Sequence, residues 1–339
     1  MIPQEKMAAV ERGLSEAFGA TGYDDLRALT RGRSSALVFR IVVGGTPYLL
    51  RIIMRADDPM RHFACMRAAT EAGLAPRLRY ASVEDRISIT DFVEAVPFSR
   101  TEALVRMPAV LRTLHALPPF AEAENHLNTT CMFLMNPGPA VDGFIAKFQT
   151  ANIISTAECE ELLARYAQVS GVYPRDAAEM VSSHNDLFKP DNILFDGHRV
   201  WLVDWEAAFR NDRYADLAVL ANLIVADETE ERTYLEAYLG QPADEYQLAR
   251  FFLMRQITHI FYAMVFLSLG SSGRPLDRSA ETPEFADFNR QFWAGEFDLE
   301  QSGRKTLYGR VHLERLFHDA QQPRFSEALR IVSTQNARS

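Results

Sequence analysis

The sequence predicts an α+β fold in two parts: a small β-rich part over residues 1–95 and a larger, mainly helical part over residues 96–339. Three observations point to it. Apolar runs of strand length flank Gly44-Gly45 and Glu84-Asp85-Arg86, all before residue 95. Helical spacing takes over after Ser99, and short strands return only between Val181 and Trp205. The length of 339 residues suits two domains of ordinary size.

Each element follows in order. Leu37–Val43 and Tyr48–Met54 surround Gly44-Gly45 and read as a β-hairpin. Asp58–Ala72 carries Phe63, Met66 and Ala69 at helical spacing and ends at Gly73. Leu78–Val83 and Ile87–Val93 read as a second hairpin. Ser99-Arg100-Thr101-Glu102 is a capping box, and Leu104, Met107, Leu111 and Leu114 continue it as one apolar stripe, with His115 read as a satisfied core histidine. Ser155-Thr156-Ala157-Glu158 opens another helix in the same way, and Asn125–Ala140 is the longest expected loop. Arg213–Val225, Thr229–Leu239 and Asp244–Leu269 return to helix. The acids from Asp227 to Glu231 read as a solvated helix start, where negative charge is favoured. Phe251–Leu269 is the most apolar stretch, but Arg255, Gln256 and His259 interrupt it, so it reads as a buried helix and not as a membrane span.

Composition narrows the function classes. Apolar residues make up 47%, which excludes a wholly disordered chain. Lys and Arg number 36 against 45 Asp and Glu, a net charge of −9. That balance argues against nucleic acid as a partner and suits a cationic small molecule. Met1–Leu14 is charged and is not expected to be a signal peptide. Cys65, Cys131 and Cys159 form no zinc spacing, and a reducing, cytoplasmic location is expected, with no membrane insertion.

The chemistry concentrates between Ser183 and Glu206. Ile193-Leu194-Phe195 and Arg199–Val203 pair across Asp196-Gly197, which holds Asn192 near Asp204. An amide oxygen beside a carboxylate suits Mg²⁺, a hard cation that prefers oxygen. Asp186 sits on the preceding loop, free to accept a proton from an alcohol. A metal on phosphates with a base at the nucleophile is the layout of phosphoryl transfer.

His184-Asn185-Asp186 with Asn192 and Asp204 resembles the aminoglycoside phosphotransferase and choline kinase superfamily. Asp204-Trp205-Glu206 through Asn211-Asp212 to Asp216-Leu217-Ala218 is closer to its choline, ethanolamine and thiamine kinase-like branch. The resemblance covers most of the chain to about Leu269 and is most specific from His184 to Ala218. It implies a two-lobed protein-kinase-like fold that moves the γ-phosphate of ATP, with Mg²⁺, to a small-molecule hydroxyl, a choline- or ethanolamine-like amino alcohol first. The rivals are an antibiotic acceptor, aminoglycoside or macrolide, and a nucleotide-binding protein with little catalysis.

Residue by residue, the resemblance makes Asp186 the catalytic base, Asn192 and Asp204 the metal ligands, and Asp216 the acid that orders the catalytic loop. Thr30–Ile41 becomes the nucleotide-covering loop with Ser34 and Ser35 near its tip. Arg51 becomes the phosphate-contacting strand residue, and Asp91 and Val93 belong to the hinge that meets adenine. His184 anchors the loop. Glu206, Tyr262 and Trp293 are candidates for acceptor binding, the two aromatic residues by cation–π contact. Two departures stand out. Five residues separate Asp186 from Asn192 where the family has four, which leaves Asp191 as a rival ligand and adds Lys189, which faces either the γ-phosphate or solvent. The helix after Arg51 should carry a Glu to pair with it, yet His62 stands there, with Asp57 and Asp58 one turn earlier.

Overall fold

The computed structural model describes residues 1–29, 36–54, 59–121, 139–175, 180–271, 275–276 and 281–337. Gly32, Ser34, Ser35, Asp57, Asp58, Cys131 and most of Asn125–Ala140 lie outside them. The chain forms two compact units, one of Met1–Pro97 with Asp191–Ala208 and one of Phe98–Pro190 with Phe209–Ser339.

The first unit holds α1 (Gln4–Phe18), β1 (Asp25–Ala28), β2 (Ala36–Val43), β3 (Thr46–Ile53), α2 (Met60–Glu71), β4 (Leu78–Ser82) and β5 (Ile87–Asp91). The strands form one antiparallel sheet in the order β1-β2-β3-β5-β4. Gly44 and Gly45 both take positive φ, +56° and +77°, which a two-residue turn of matching twist requires. Strand alternation then sorts β3. Tyr48, Leu50 and Ile52 pack with Phe39, Ile41, Ile87 and Ile89 against Val10 and Leu14 of α1. Leu49 and Arg51 point to the opposite face of the central strand.

Residues 191–208, expected in the larger part, group with this unit. Their backbone explains why: Leu202 N–H donates to the Leu74 carbonyl at 2.7 Å, and Val96 N–H donates to the Phe195 carbonyl at 2.7 Å.

The second unit contains α3 (Arg100–His115), α4 (Pro139–Thr150), α5 (Thr156–Val172) and β6 (Met180–Ser183). The chain then crosses to the first unit for the hairpin of β7 (Ile193–Phe195) and β8 (Val200–Leu202). It returns with β9 (Phe209–Asp212), antiparallel to β6, and continues through α6 (Arg213–Ile224), α7 (Glu228–Leu239), α8 (Glu245–Gly270), α9 (Phe285–Trp293), α10 (Arg304–Ala320) and α11 (Pro323–Asn336). The side chains of Ser99, Ser155 and Asp244 cap α3, α5 and α8. Among the described residues α8 has the length and apolar composition of a membrane span, yet 83% of that window is buried inside the protein. It is the core helix of this unit. Against it α10 packs with almost no side-chain spacer: a Cβ on Gly309 would stand 2.7 Å from the Leu267 backbone nitrogen.

The acidic start of α7 is solvated at Asp227 and Glu228, with Asp227 capping the helix, but its last acid departs from the expectation: Glu231 is buried between Arg255 and Arg324 and pairs with both. Arg255 comes from the buried helix α8 and needs a counter-charge there.

Candidate active site

The second unit holds the loop that follows β6. Asn185 has φ +64°, the left-handed region that asparagine tolerates better than most residues. Its side chain is fixed on both sides. Asn211 of β9 donates to Asn185 Oδ1 at 2.6 Å, and Asn185 Nδ2 donates to the Ser183 and Phe209 carbonyls at 3.4 Å. Asp216 in the first turn of α6 accepts the backbone N–H groups of His184 and Asn185, one on each oxygen, both at 2.8 Å. Asp216 is 0% exposed. Burial pushes its pKa up, but the His115 hydrogen bond and the charges and N–H groups around it outweigh that and hold it below the ordinary value. The residue after this double anchor is Asp186. Lys189 Nζ donates to Asp186 Oδ2 at 2.7 Å, a partner that the sequence reading did not foresee.

Beneath the loop, Phe188 packs on Tyr262 at 5.2 Å and on Phe266 at 5.5 Å, ring to ring. Tyr262 is buried in that aromatic cluster, and burial with the nearby charge of Asp186 pushes its pKa well up. Trp293 is elsewhere engaged: its indole N–H donates to the Phe98 carbonyl at 2.7 Å. Among the described residues no ring contact joins Tyr262 to Trp293; Tyr308 touches both Tyr262 and Phe292, the neighbour of Trp293.

The first unit holds a charged cluster of its own. Arg51 Nη2 donates to Asp204 Oδ1 at 3.0 Å and also to Glu206 Oε1. Glu206 therefore stands where the missing helix carboxylate would be needed, while His62 on α2 is buried. Helix α2 grips the same turn differently, through Arg61, which donates to the carbonyls of Ala208 and, at 2.9 Å, Glu206. Asp204 has φ +66°, and buried Trp205 pins the turn by donating from Nε1 to the Leu202 carbonyl at 3.2 Å. The ladder of β7 and β8 extends one step, with Val203 N–H donating to the Asn192 carbonyl at 3.0 Å. Asn192 is thus held opposite the residue before Asp204, and it is buried, whereas Asp191 is exposed. A carboxylate and an amide oxygen so placed form a donor set that fits Mg²⁺. Arg51 Nε is buried and has no hydrogen-bond partner among the described residues, a donor that an incoming phosphate oxygen would satisfy.

At the end of β5, Asp91 is held by Arg79 through both carboxylate oxygens, at 2.6 and 3.2 Å. Its backbone N–H donates to the Arg77 carbonyl at 2.9 Å, so that amide is committed within the sheet. Val93 follows in the segment after β5, which has no regular structure. Sequence reasoning gave Asn211 no role of its own, and it missed Arg61 and the partners of His115. Asn185 carried a usable signal, since Asn reaches positive φ more readily than most residues. The others face partners that no local pattern encodes.

Residues 25–252 match the model of the phosphotransferase enzyme family. No curated protein matches the chain. In fold it is similar to a choline/ethanolamine kinase family protein from Mesorhizobium loti, at 18% identity over 97% of this chain and 99% of that chain, TM-score 0.64. It is similar to a choline kinase from Cryptosporidium parvum at 12% identity over 97% of this chain and 98% of that chain, TM-score 0.62. It is also similar to an aminoglycoside phosphotransferase with ADP bound, at 15% identity over 87% of this chain and 99% of that chain, TM-score 0.53. At these identities the three structures establish the kinase-like α+β fold. The family match spans well over half of the sequence, and the chain belongs to this phosphotransferase family, whose reaction is transfer of phosphate to an alcohol group of a small molecule.

Proposed function

We propose that the protein transfers the γ-phosphate of ATP to the hydroxyl of a small amino alcohol of the choline or ethanolamine kind. The observation that carries the reading is the Arg51 cluster, a guanidinium on the central strand held by Asp204 and Glu206, with Nε buried and without a hydrogen-bond partner among the described residues. Its planar fork suits phosphate oxygens. Mg²⁺, held by Asn192 and Asp204, would offset the negative charge of the β- and γ-phosphates. Asp186 orients the acceptor hydroxyl and takes its proton, and Asp216 keeps the loop in the conformation that presents Asp186. Lys189 pairs with Asp186, on the same loop. Glu206 is reassigned from acceptor binding to holding Arg51.

The fold shared with choline and ethanolamine kinases and the net charge of −9 support a cationic acceptor. Similarity to an aminoglycoside phosphotransferase makes an aminoglycoside the second candidate. ADP release in Mg·ATP, with and without a panel of amino alcohols, sugars and antibiotics, decides between them. Amino alcohols should stimulate release, and Asp186→Asn should lower kcat by about 10²–10⁴-fold while Mg·ATP affinity stays near wild type. Stimulation by antibiotics alone overturns the acceptor. Background release with every compound overturns the enzyme reading in favour of nucleotide binding without catalysis.

A further inference from the structure

The double anchor of the catalytic loop has a support of its own. His115 is the last residue of α3, and its Nε2 lies 3.4 Å from Asp216 Oδ2. Its Nδ1 lies 2.8 Å from the hydroxyl of Tyr238 on α7. All three side chains are buried. The protonation pattern follows from what each group can do. An ionised Asp216 only accepts, and it already accepts two backbone N–H groups, so the proton between it and His115 sits on Nε2. In the neutral ring Nδ1 is then an acceptor, and Tyr238 O–H donates to it. One chain of hydrogen bonds thus runs from Tyr238 through His115 and Asp216 to the amides of His184 and Asn185.

Those amides matter because of what they restrain. Asn185 sits at φ +64°, a conformation that relaxes unless its surroundings hold it. If Asp216 turns away, the two N–H groups before Asp186 lose their acceptor together. A buried polar network whose members are satisfied is rigid, so a further hydrogen bond on a buried carboxylate helps to hold its direction. His115 engages Asp216 at Oδ2, the oxygen that also accepts the His184 N–H, and Tyr238 holds the ring of His115 through Nδ1.

We propose that His115 and Tyr238 are positioning residues for phosphoryl transfer, acting through Asp216 on the backbone that presents Asp186. The proposal rests on the reading of Asp186 as the base. It makes α3 and α7, which supply no group to the reaction, part of the machinery that sets kcat.

The test compares His115→Leu, His115→Gln, Tyr238→Phe and the double variant His115→Leu/Tyr238→Phe in the full chain. Three quantities are measured: kcat and KM for ATP with the best acceptor of the panel, amide exchange at His184 and Asn185, and melting temperature. Loss of a hydrogen bond to a buried charge should lower kcat about 10-fold or more in His115→Leu. Tyr238→Phe, nearly isosteric, should lower it about 3-fold. KM for ATP should stay within about 2-fold, because no ATP contact is touched. His115→Gln keeps a donor near Nε2 and should recover most of the rate. The double variant should be no slower than His115→Leu, since Tyr238 acts only through His115. Amide exchange at His184 and Asn185 should speed up in step with the loss of kcat.

Wild-type kcat and wild-type exchange in folded His115→Leu would overturn the proposal, and so would rates that multiply in the double variant. Should His115→Leu fail to fold, Tyr238→Phe alone decides by the same kcat and exchange criteria. If wild type phosphorylates nothing in the panel, the functional reading fails, while the exchange measurement still judges the positioning claim.

Discussion

The crossing of α8 and α10 gives a prediction with its own internal control. Replacing Gly309 by Ala places a methyl 2.7 Å from the Leu267 nitrogen, 2.8 Å from its Cγ and 3.2 Å from its Cδ2. Carbon needs about 3.5–4.0 Å. A backbone nitrogen cannot rotate away, and Leu267 is fully buried, so the two helices must part by several tenths of an ångström. Overpacking of this kind costs about 1–3 kcal/mol. Against it stands the gain of alanine over glycine within a helix, about 1 kcal/mol. With two close atoms, one of them backbone, the clash should win, leaving Gly309→Ala up to about 2 kcal/mol less stable than wild type. Gly143, inside α4, has nothing within 4 Å of a built Cβ. Gly143→Ala collects the propensity gain alone and should be about 0.5–1 kcal/mol more stable. Urea titrations of the three proteins, compared at equal slope, read the difference as displaced midpoints. A Gly309→Ala midpoint at or above that of wild type would refute the reasoning, because the steric term would then be absent.

Three further outcomes follow from the site and its surroundings. Glu206→Gln weakens the hold on Arg51 and should raise KM for ATP about 10-fold while leaving KM for the acceptor unchanged; a rise confined to the acceptor would return Glu206 to acceptor binding. Asn192→Ala should cost far more activity than Asp191→Ala, as the first is buried beside the Asp204 turn and the second exposed; the reverse order would mean that the ligand was misplaced. Buried His312 faces His259, with 2.8 Å between their Nδ1 atoms, and burial pushes its pKa down to about 3. The unfolded chain therefore takes up a proton there below about pH 6.5 that the folded chain refuses, so stability drops as pH falls toward 3, by about 1.4 kcal/mol per pH unit from this residue. Urea midpoints at pH 7, 6 and 5 should fall less steeply in His312→Leu, and an unchanged slope would count against the assignment.

Local chemistry made much of this legible in the sequence. Gly44-Gly45 announces a turn because both residues take positive φ, and Ser155 with Glu158 announces a helix start because the two cap each other. The polar interruptions in α8 mark a core helix, and Arg255 among them proves to be paired with Glu231. What local pattern cannot carry is the identity of a distant partner. Glu206 finds Arg51 across 155 residues, and His115 meets Asp216 and Tyr238 across 101 and 123. Read in isolation, Glu231 is one more acid at a helix start, since the arginines that enclose it come from α8 and from the start of α11. His115 was legible as a satisfied core residue, whereas its place in a chain leading to the catalytic loop requires α3, α6 and α7 to be assembled first.

The β7–β8 hairpin bears on how this protein can be cut and recombined. Because Leu74 and Val96 bond to residues 202 and 195, the first unit is not a contiguous stretch of gene. A fragment ending at Pro97 lacks the acceptor for the Val96 amide, the donor for the Leu74 carbonyl and the acids that face Arg51. Supplying residues 191–208 as a separate peptide is the natural complement to such a fragment. A chimera that exchanges residues 1–97 with a relative should carry the 191–208 segment along, or it will join an arginine from one parent to counter-ions from another.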